Sequence, residues 1–312
     1  MNFIDFHTHL HIRLDDADQR RLKPCHADPL LPLFHRLIWG AFEKTGYHYL
    51  LKPGSPFERP MERILARIMR AAPFDPANGT PAPDEQTLER RLDKAGIDRA
   101  VVLPVPPVSR NADVIATCRG NPRFIPFFSP DTHSDEPLDR QLAGALRDGA
   151  RGLKIHPLLQ NLPLSGDTVR ITAAFAERNG IPLVIHAGGS RALFNLCDGI
   201  RPVATEFSTL ANRFPGLNLV AAHTGLWEWR SYLAAAAEAP NLSLDISFQS
   251  PEVIRAALAV TGPRRLLFGS DFPMGNATIV RRNLTSLGLD GETLTLIGRG
   301  NALRLLGEAP GS

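Results

Sequence analysis

Ten histidines are spread over the 312 residues, but five of them stand at the ends of short apolar runs. His7 and His9 close the first run as His-Thr-His. His156 follows Gly152-Leu-Lys-Ile155, His186 follows Pro182-Leu-Val-Ile185, and His223 follows Leu217–Ala222. Asp271 comes just after Arg265–Gly269, in Phe-Gly-Ser-Asp, and Lys154 lies inside the fourth run, two residues before His156. Residues i and i+2 of a strand share a side, so His7 projects with His9 and Lys154 with His156. A buried ionisable group is costly unless it is paired or bound to a metal. Two imidazoles side by side, another opposite and a carboxylate make a divalent-metal site. Each residue alone has a plain structural reading. His-x-His is common, a strand-end histidine such as His186 is usually a hydrogen-bonded core residue, and Asp271 can cap a helix. A lysine inside an apolar strand is rarer. The combination carries more than its parts.

Something must bring these remote positions together. Eight short apolar runs recur: Asn2–Phe6, Ala100–Leu103, Phe124–Phe128, Gly152–Ile155, Pro182–Ile185, Leu217–Ala222, Leu242–Ile246 and Arg265–Gly269. Their length and continuity suit strands buried on both faces of a parallel sheet. Helical stretches lie between them: Glu85–Ala95 before Gly96, Leu138–Leu146, a helix capped by Asp167 that runs to Arg178 before Gly180, Ser208–Phe214, and a last one over Leu294–Leu306. These predict an α/β fold, a (β/α)8 TIM barrel, whose strands converge on one face at their C-terminal ends. No GxGxxG follows a strand, and neither a Walker A motif nor a GxSxG elbow is present. Residues 10–83 break the pattern as a proline-rich insertion after strand one. It reads as a lid within a single barrel spanning 1–312, or else as a packing or dimer-contact excursion.

Composition narrows the classes. Lys plus Arg is 35 against 32 for Asp plus Glu, a net charge of +3, with no long run of like charges. Nucleic acid is therefore not expected as a partner. No stretch of eighteen apolar residues predicts a membrane span, and the first residues read as the start of a fold, not a signal peptide. The three cysteines, Cys25, Cys118 and Cys197, form no CxxC pair, so the cytoplasm is the expected location.

The sequence resembles the amidohydrolase superfamily of metal-dependent barrels. It is closest to the amidohydrolase-related branch, which holds aminocarboxymuconate-semialdehyde decarboxylase and pyrone-dicarboxylate lactonase. The resemblance rests on Asp5-Phe6-His7-Thr8-His9, Gly152–Pro157, Val184–His186, Ala222-His223, Leu267–Pro273 and Asn301–Leu306. It implies that His7, His9, His186 and Asp271 are metal ligands, with Asp271 also a proton shuttle and His223 beside the metal or its water. The metal implied is zinc, with manganese as the alternative. Two ions would require carbamylated Lys154 as a bridge and His223 as a further ligand. The Lys-x-His-Pro context and the closer branch point instead to one ion, with Lys154 an ammonium that holds a substrate carboxylate or developing negative charge.

The expected activity is hydrolysis of a small organic amide, ester or lactone by a metal-activated water. Asp271 would move the proton, and His223 would orient the water or stabilise the oxyanion. Non-oxidative decarboxylation of a small carboxylic acid on the same scaffold is the alternative. Candidate substrate contacts are His156, Arg191, Arg110 and Trp227; Trp229 and, in the insertion, Trp39, Phe42, Tyr47 and His48 are further aromatic candidates. Arg110 and Arg191 also read as solvated loop residues. A barrel that has lost catalysis has no support, because every expected ligand position is filled. The family resemblance is compatible with a homodimer.

Overall fold

The apolar runs form eight parallel strands in a computed structural model that describes residues 2–12, 83–188 and 200–309. They are β1 (Phe3–Thr8), β2 (Ile97–Val102), β3 (Phe124–Pro126), β4 (Leu153–Ile155), β5 (Leu183–Ile185), β6 (Leu219–Ala221), β7 (Leu242–Asp245) and β8 (Leu266–Leu267). Two parallel sheets result, ordered β1-β2-β3 and β4-β5-β6-β7-β8. Single parallel bridges join them at both seams, Phe128 to Leu153 and Thr8 to Phe272. At the second seam the Phe6 amide donates to the Phe268 carbonyl at 2.8 Å, and the Asp271 amide donates to the His7 carbonyl at 2.7 Å. The architecture is that of an α/β barrel, as its sequence pattern predicts.

Helices follow most strands: α1 (Glu85–Ala95), α2 (Asn111–Gly120), α3 (Leu138–Arg147), α4 (Pro157–Gln160), α5 (Asp167–Asn179), α6 (Ala204–Arg213), α7 (Trp229–Glu238), α8 (Pro251–Thr261) and α9 (Ala277–Thr285). α1 shows why such a segment is a helix. The Asp84 carboxylate accepts from the Thr87 amide at 2.7 Å, Leu88 and Leu92 are buried one turn apart, and Gly96 ends it at φ 63. Three expectations need correction. Asp167 is the first helical residue of α5, not its cap; Gly166 holds that place, and Asp167 instead sets a negative charge in the first turn. α6 starts at Ala204, four residues before the predicted Ser208. The last helix is built of α10 (Gly291–Thr295), a π-turn over Leu296–Gly300, and α11 (Asn301–Leu305).

The core has two compartments. One lies between strands and helices and takes Leu153, Leu183, Leu219 and Leu242. The other takes the alternate strand residues, among them Ile4, Val101, Ile125, Val184, Val220 and Leu267, and is capped by Ala302–Leu306. β4 and β7 supply no apolar residue to this second cluster. Lys154 pairs in register with Val184, which pairs with Val220, which pairs with Ser243. Lys154 therefore takes an apolar position in the interior layer, with 0% exposure.

The chain end is tied to β2 by a forked ion pair. Arg99 Nη1 lies 2.5 Å from Glu308 Oε2, and Nη2 lies 3.1 Å from Oε1. Hydrogen bonding from Arg99 holds the Glu308 carboxyl below its usual range, and burial opposes this. A depressed carboxyl stabilises the fold above its unfolded-state value and loses that contribution as pH falls through its folded value. Glu308→Gln is thus expected to cost about 1 kcal/mol at pH 7. The gap from wild type should close below pH ~4, which urea melts at the two pH values would show.

Candidate metal centre

The site grows from the end of β1, where the pairing register with β2 shifts between Asp5 and Thr8. His7 Nδ1 lies 2.8 Å from Asp245 Oδ2, and His9 Nδ1 lies 2.6 Å from the Leu103 carbonyl oxygen. Carbonyls and carboxylates accept, so each Nδ1 carries the proton and each Nε2 presents a lone pair. The two Nε2 atoms stand 3.1 Å apart. Asp271 Oδ1 lies 3.1 Å from the first and 3.3 Å from the second. Three electron-rich atoms thus converge on one buried point. Such an arrangement repels itself unless a positive charge sits among its members.

The electrostatics say the same. Burial and Lys154 push the His7 imidazole down, but the Asp245 and Asp271 carboxylates outweigh them and raise it. Burial would raise Asp271; His223 and His7 hold it well below the ordinary carboxylate range. Two carboxylates therefore draw positive charge to the point where the lone pairs meet, the place a divalent cation would take. Lys154 Nζ approaches His7 Nε2 at 3.4 Å. Burial lowers its ammonium to about 8, against the pull of Asp271 and Asp245.

Asp245 serves a second imidazole. Its Oδ1 accepts from the Ser247 hydroxyl and, at 2.9 Å, from the Ser247 amide. The same hydroxyl lies 2.6 Å from His223 Nδ1. A hydroxyl that donates to Asp245 accepts from His223, which leaves the His223 Nε2 lone pair free to face the site. One carboxylate thus orients His7 directly and His223 through Ser247. Burial lowers the His223 imidazole to about 3, so it stays neutral.

His223 sits in an unusual backbone. It, Thr224, Gly225 and Leu226 have φ of 57°, 48°, 79° and 50°. Left-handed non-glycine residues cost about 1 kcal/mol each, a strain held by the surrounding packing. The Gly188 amide, after β5, donates to the Tyr232 hydroxyl at 2.9 Å. A Cβ on Gly225 would lie 2.0 Å from the Tyr232 ring. Gly225→Ala is expected to destabilise the fold by about 3 kcal/mol, measurable as a lower midpoint in urea.

The remaining expected residues fall as follows. His186 stacks on His156 with ring centres 3.9 Å apart and meets His223 edge-on at 5.1 Å. Among the described residues two groups bring ligand atoms together, His7 with His9 and Asp271, and His7 with His223 and Asp245; His186 is in neither. The first group is the better seat for a cation, because both Asp245 oxygens already accept from His7 and Ser247. Arg110 is exposed just ahead of α2, and Trp227 is half-buried in the turn after β6. Trp229 packs against the main core with the Arg230 guanidinium 4.1 Å over its ring. Arg191, the insertion aromatics Trp39, Phe42 and Tyr47, and His48 lie outside the described residues. Sequence reasoning missed Asp245 and Ser247. The signal was there: Leu242-Ser-Leu-Asp245 is another apolar strand ending in an ionisable group. It also left Asp5 without a task. Asp5 Oδ1 accepts from the His7 amide at 3.2 Å and the Ser270 amide at 2.8 Å, tying the His-x-His strand to the loop of Asp271.

Imidazoles and a carboxylate gathered at the strand ends of an α/β barrel define a metal-dependent barrel enzyme. The sequence profile of the amidohydrolase family matches residues 4–307, and the chain belongs to that family of metal-dependent enzymes. No curated protein matches the sequence. Among solved structures, it is similar to an uncharacterized TIM-barrel protein from Bordetella bronchiseptica at 19% identity and TM-score 0.65, over 98% of this chain and 99% of that one. A 5-carboxyvanillate decarboxylase from Novosphingobium aromaticivorans, with bound manganese, is similar at 16% identity and TM-score 0.59, over 98% and 97%. A probable 2-pyrone-4,6-dicarboxylic acid hydrolase from Acinetobacter baumannii is similar at 14% identity and TM-score 0.57, over 98% and 100%. These likenesses show the fold. Among the described residues no helix is long and apolar enough to cross a membrane.

Proposed function

We propose that the chain is a metal-dependent hydrolase of a small amide, ester or lactone. The observation that carries the reading is the convergence of His7 Nε2, His9 Nε2 and Asp271 Oδ1 within 3.3 Å of one another. Nitrogen donors with one carboxylate oxygen suit zinc, and the manganese-bound neighbour makes manganese the alternative. His186, presented from the end of β5 beside His223, completes the ligand set. A bound divalent ion supplies Lewis acidity, which lowers the pKa of a water and polarises a carbonyl. Asp271, held as a carboxylate, accepts the proton of the attacking water and returns it to the leaving group. His223, neutral and fixed through Ser247, orients the water with its Nε2 lone pair. One ion goes with Lys154 as an ammonium, and two ions with a carbamate bridge; we read the site as holding one. Apart from its two ends, the 10–83 segment lies outside the described residues.

Non-oxidative decarboxylation is the second reading. It is favoured by the wholly buried Lys154, a cation able to hold a substrate carboxylate, and by the decarboxylase among the similar folds. The deciding experiment pairs metal analysis with two assays on one preparation. Plasma mass spectrometry is expected to give one ion per chain, and intact mass an unmodified Lys154. Acid release from a panel of esters and lactones marks the hydrolase; carbon dioxide release from aromatic carboxylic acids marks the decarboxylase. A chain that takes up no zinc or manganese, even when either is supplied, overturns both readings.

A further inference from the structure

Three consecutive residues after β7 address three parts of one histidine. Ser247 Oγ lies 2.6 Å from His223 Nδ1. The Phe248 ring sits 5.4 Å from the His223 ring, tilted by 52°. Gln249 Nε2 donates to the His223 carbonyl. A carbonyl only accepts, so the Gln249 amide is turned with its N–H toward His223. Between Ser247 and Gln249 the chain turns at Phe248, whose φ of 60 is one that a bulky residue rarely adopts. One residue on from His223, Thr224 Oγ1 donates to the Asp245 carbonyl at 2.7 Å. Gln249 is itself fixed from outside the site: Asn283 Nδ2, on α9, donates to its backbone carbonyl at 3.1 Å. His223, Thr224, Ser247, Gln249 and Asn283 are all buried.

The Ser247 bond sets which nitrogen of the ring carries the proton. It does not by itself fix where the ring stands. His223 opens a run of left-handed residues, and such a run relaxes unless its surroundings hold it. The bond from Gln249 grips the backbone of the first residue of that run and ties it, through Asn283, to α9. We infer that Gln249 is a positioning residue: it holds the His223 backbone in its left-handed form, and thereby the imidazole in the place from which it serves the site. The inference rests on the hydrolase reading above, in which His223 orients the attacking water.

Two variants separate positioning from packing. Gln249→Met keeps the length and volume of the side chain and loses its N–H. Gln249→His keeps an N–H at a similar reach. Both are compared with wild type as zinc-loaded full chains, with p-nitrophenyl acetate as the turnover probe and zinc content and thermal midpoint measured alongside. Gln249→Met is expected to lower kcat about tenfold with KM within about twofold, Gln249→His to stay within about threefold of wild type, and both to keep their zinc. In a His223→Ala background the same Gln249→Met change should alter kcat by less than about twofold, because the residue it acts through is gone. A normal kcat with a lower thermal midpoint would make Gln249 structural only, and an equal loss in both backgrounds would mean that it acts without His223; either overturns the inference. Gln249→Asn, one methylene too short to reach the carbonyl, takes the place of Gln249→Met should that variant not fold. Imidazole nitrogen NMR, assigned with His223→Ala, needs no turnover. A single Nδ1–H form of His223 in wild type should become a mixture of tautomers in Gln249→Met, and an unchanged His223 signal there also overturns the inference. A wild type that turns over no ester, while its His223 signal responds to Gln249→Met as expected, marks instead the failure of the hydrolase reading.

Discussion

Asp271→Asn is expected to lower kcat/KM by about 10³-fold with the fold intact, a loss typical of a removed general acid–base group. The substitution is chosen for its backbone. Asp271 has φ 62, and asparagine is among the few residues that tolerate this region. Its amide still donates to the His7 carbonyl, and its carbonyl still accepts from the Gly275 amide, so the loop keeps its place. What disappears is the negative charge 3.1 Å from His7 Nε2 and the oxygen that takes the water proton. The check is kcat/KM on whichever ester, lactone or acid the wild type turns over, with the thermal midpoint measured alongside. Activity within tenfold of wild type would remove Asp271 from proton transfer.

Asp245→Ala should act on the metal itself. The variant leaves the His7 Nδ1–H and the Ser247 hydroxyl without their acceptor, so neither His7 nor His223 is held in its lone-pair-inward form. Loss of such an orienting carboxylate typically costs 10–100-fold in metal affinity. Breaking one side of a buried ionic contact also costs about 3–5 kcal/mol of stability. Ser247→Ala is the control. It removes the link to His223 and leaves the direct Asp245–His7 contact in place, so zinc affinity is expected to stay within about threefold while kcat falls about tenfold. Competition against a chromophoric chelator gives the affinities. Equal zinc affinity in Asp245→Ala and wild type would refute the orienting role.

Much of this arrangement is legible from the chain. Apolar runs such as Leu183–Ile185 and Leu219–Ala221 need both faces covered, which few sequences do outside a parallel sheet, and polar residues just beyond them then have one common destination. Helix ends marked by a glycine in the left-handed region, as at Gly96, read well. α2 reads poorly because Asn111–Gly120 buries only Val114, Ile115 and Cys118, too little to impose a periodic stripe. The chemistry of each imidazole is hidden for a different reason. Whether His7 or His156 offers a lone pair depends on what its other nitrogen meets. For His7 that partner is 238 residues away; for His156 it is three. The short-range case yields to helix-capping rules, and the long-range one requires the two sheets joined at their seams.

That closure has an order in time. The seam between β1 and β8 joins Asp5 to Ser270, 265 residues apart. At ~5–20 residues per second of synthesis, roughly 10–50 s separate the two sides. On the proposed ligand set, His7 and His9 leave the ribosome as half of a chelate long before Asp271 exists to complete it. A cation that meets the nascent chain finds the two imidazoles without Asp271, and its tight capture would wait for the last strand. Metal uptake is thereby a readout of barrel completion. Slow, non-local pairing of this kind dominates folding time, so zinc capture during refolding should track the final, slowest phase rather than the early formation of helices.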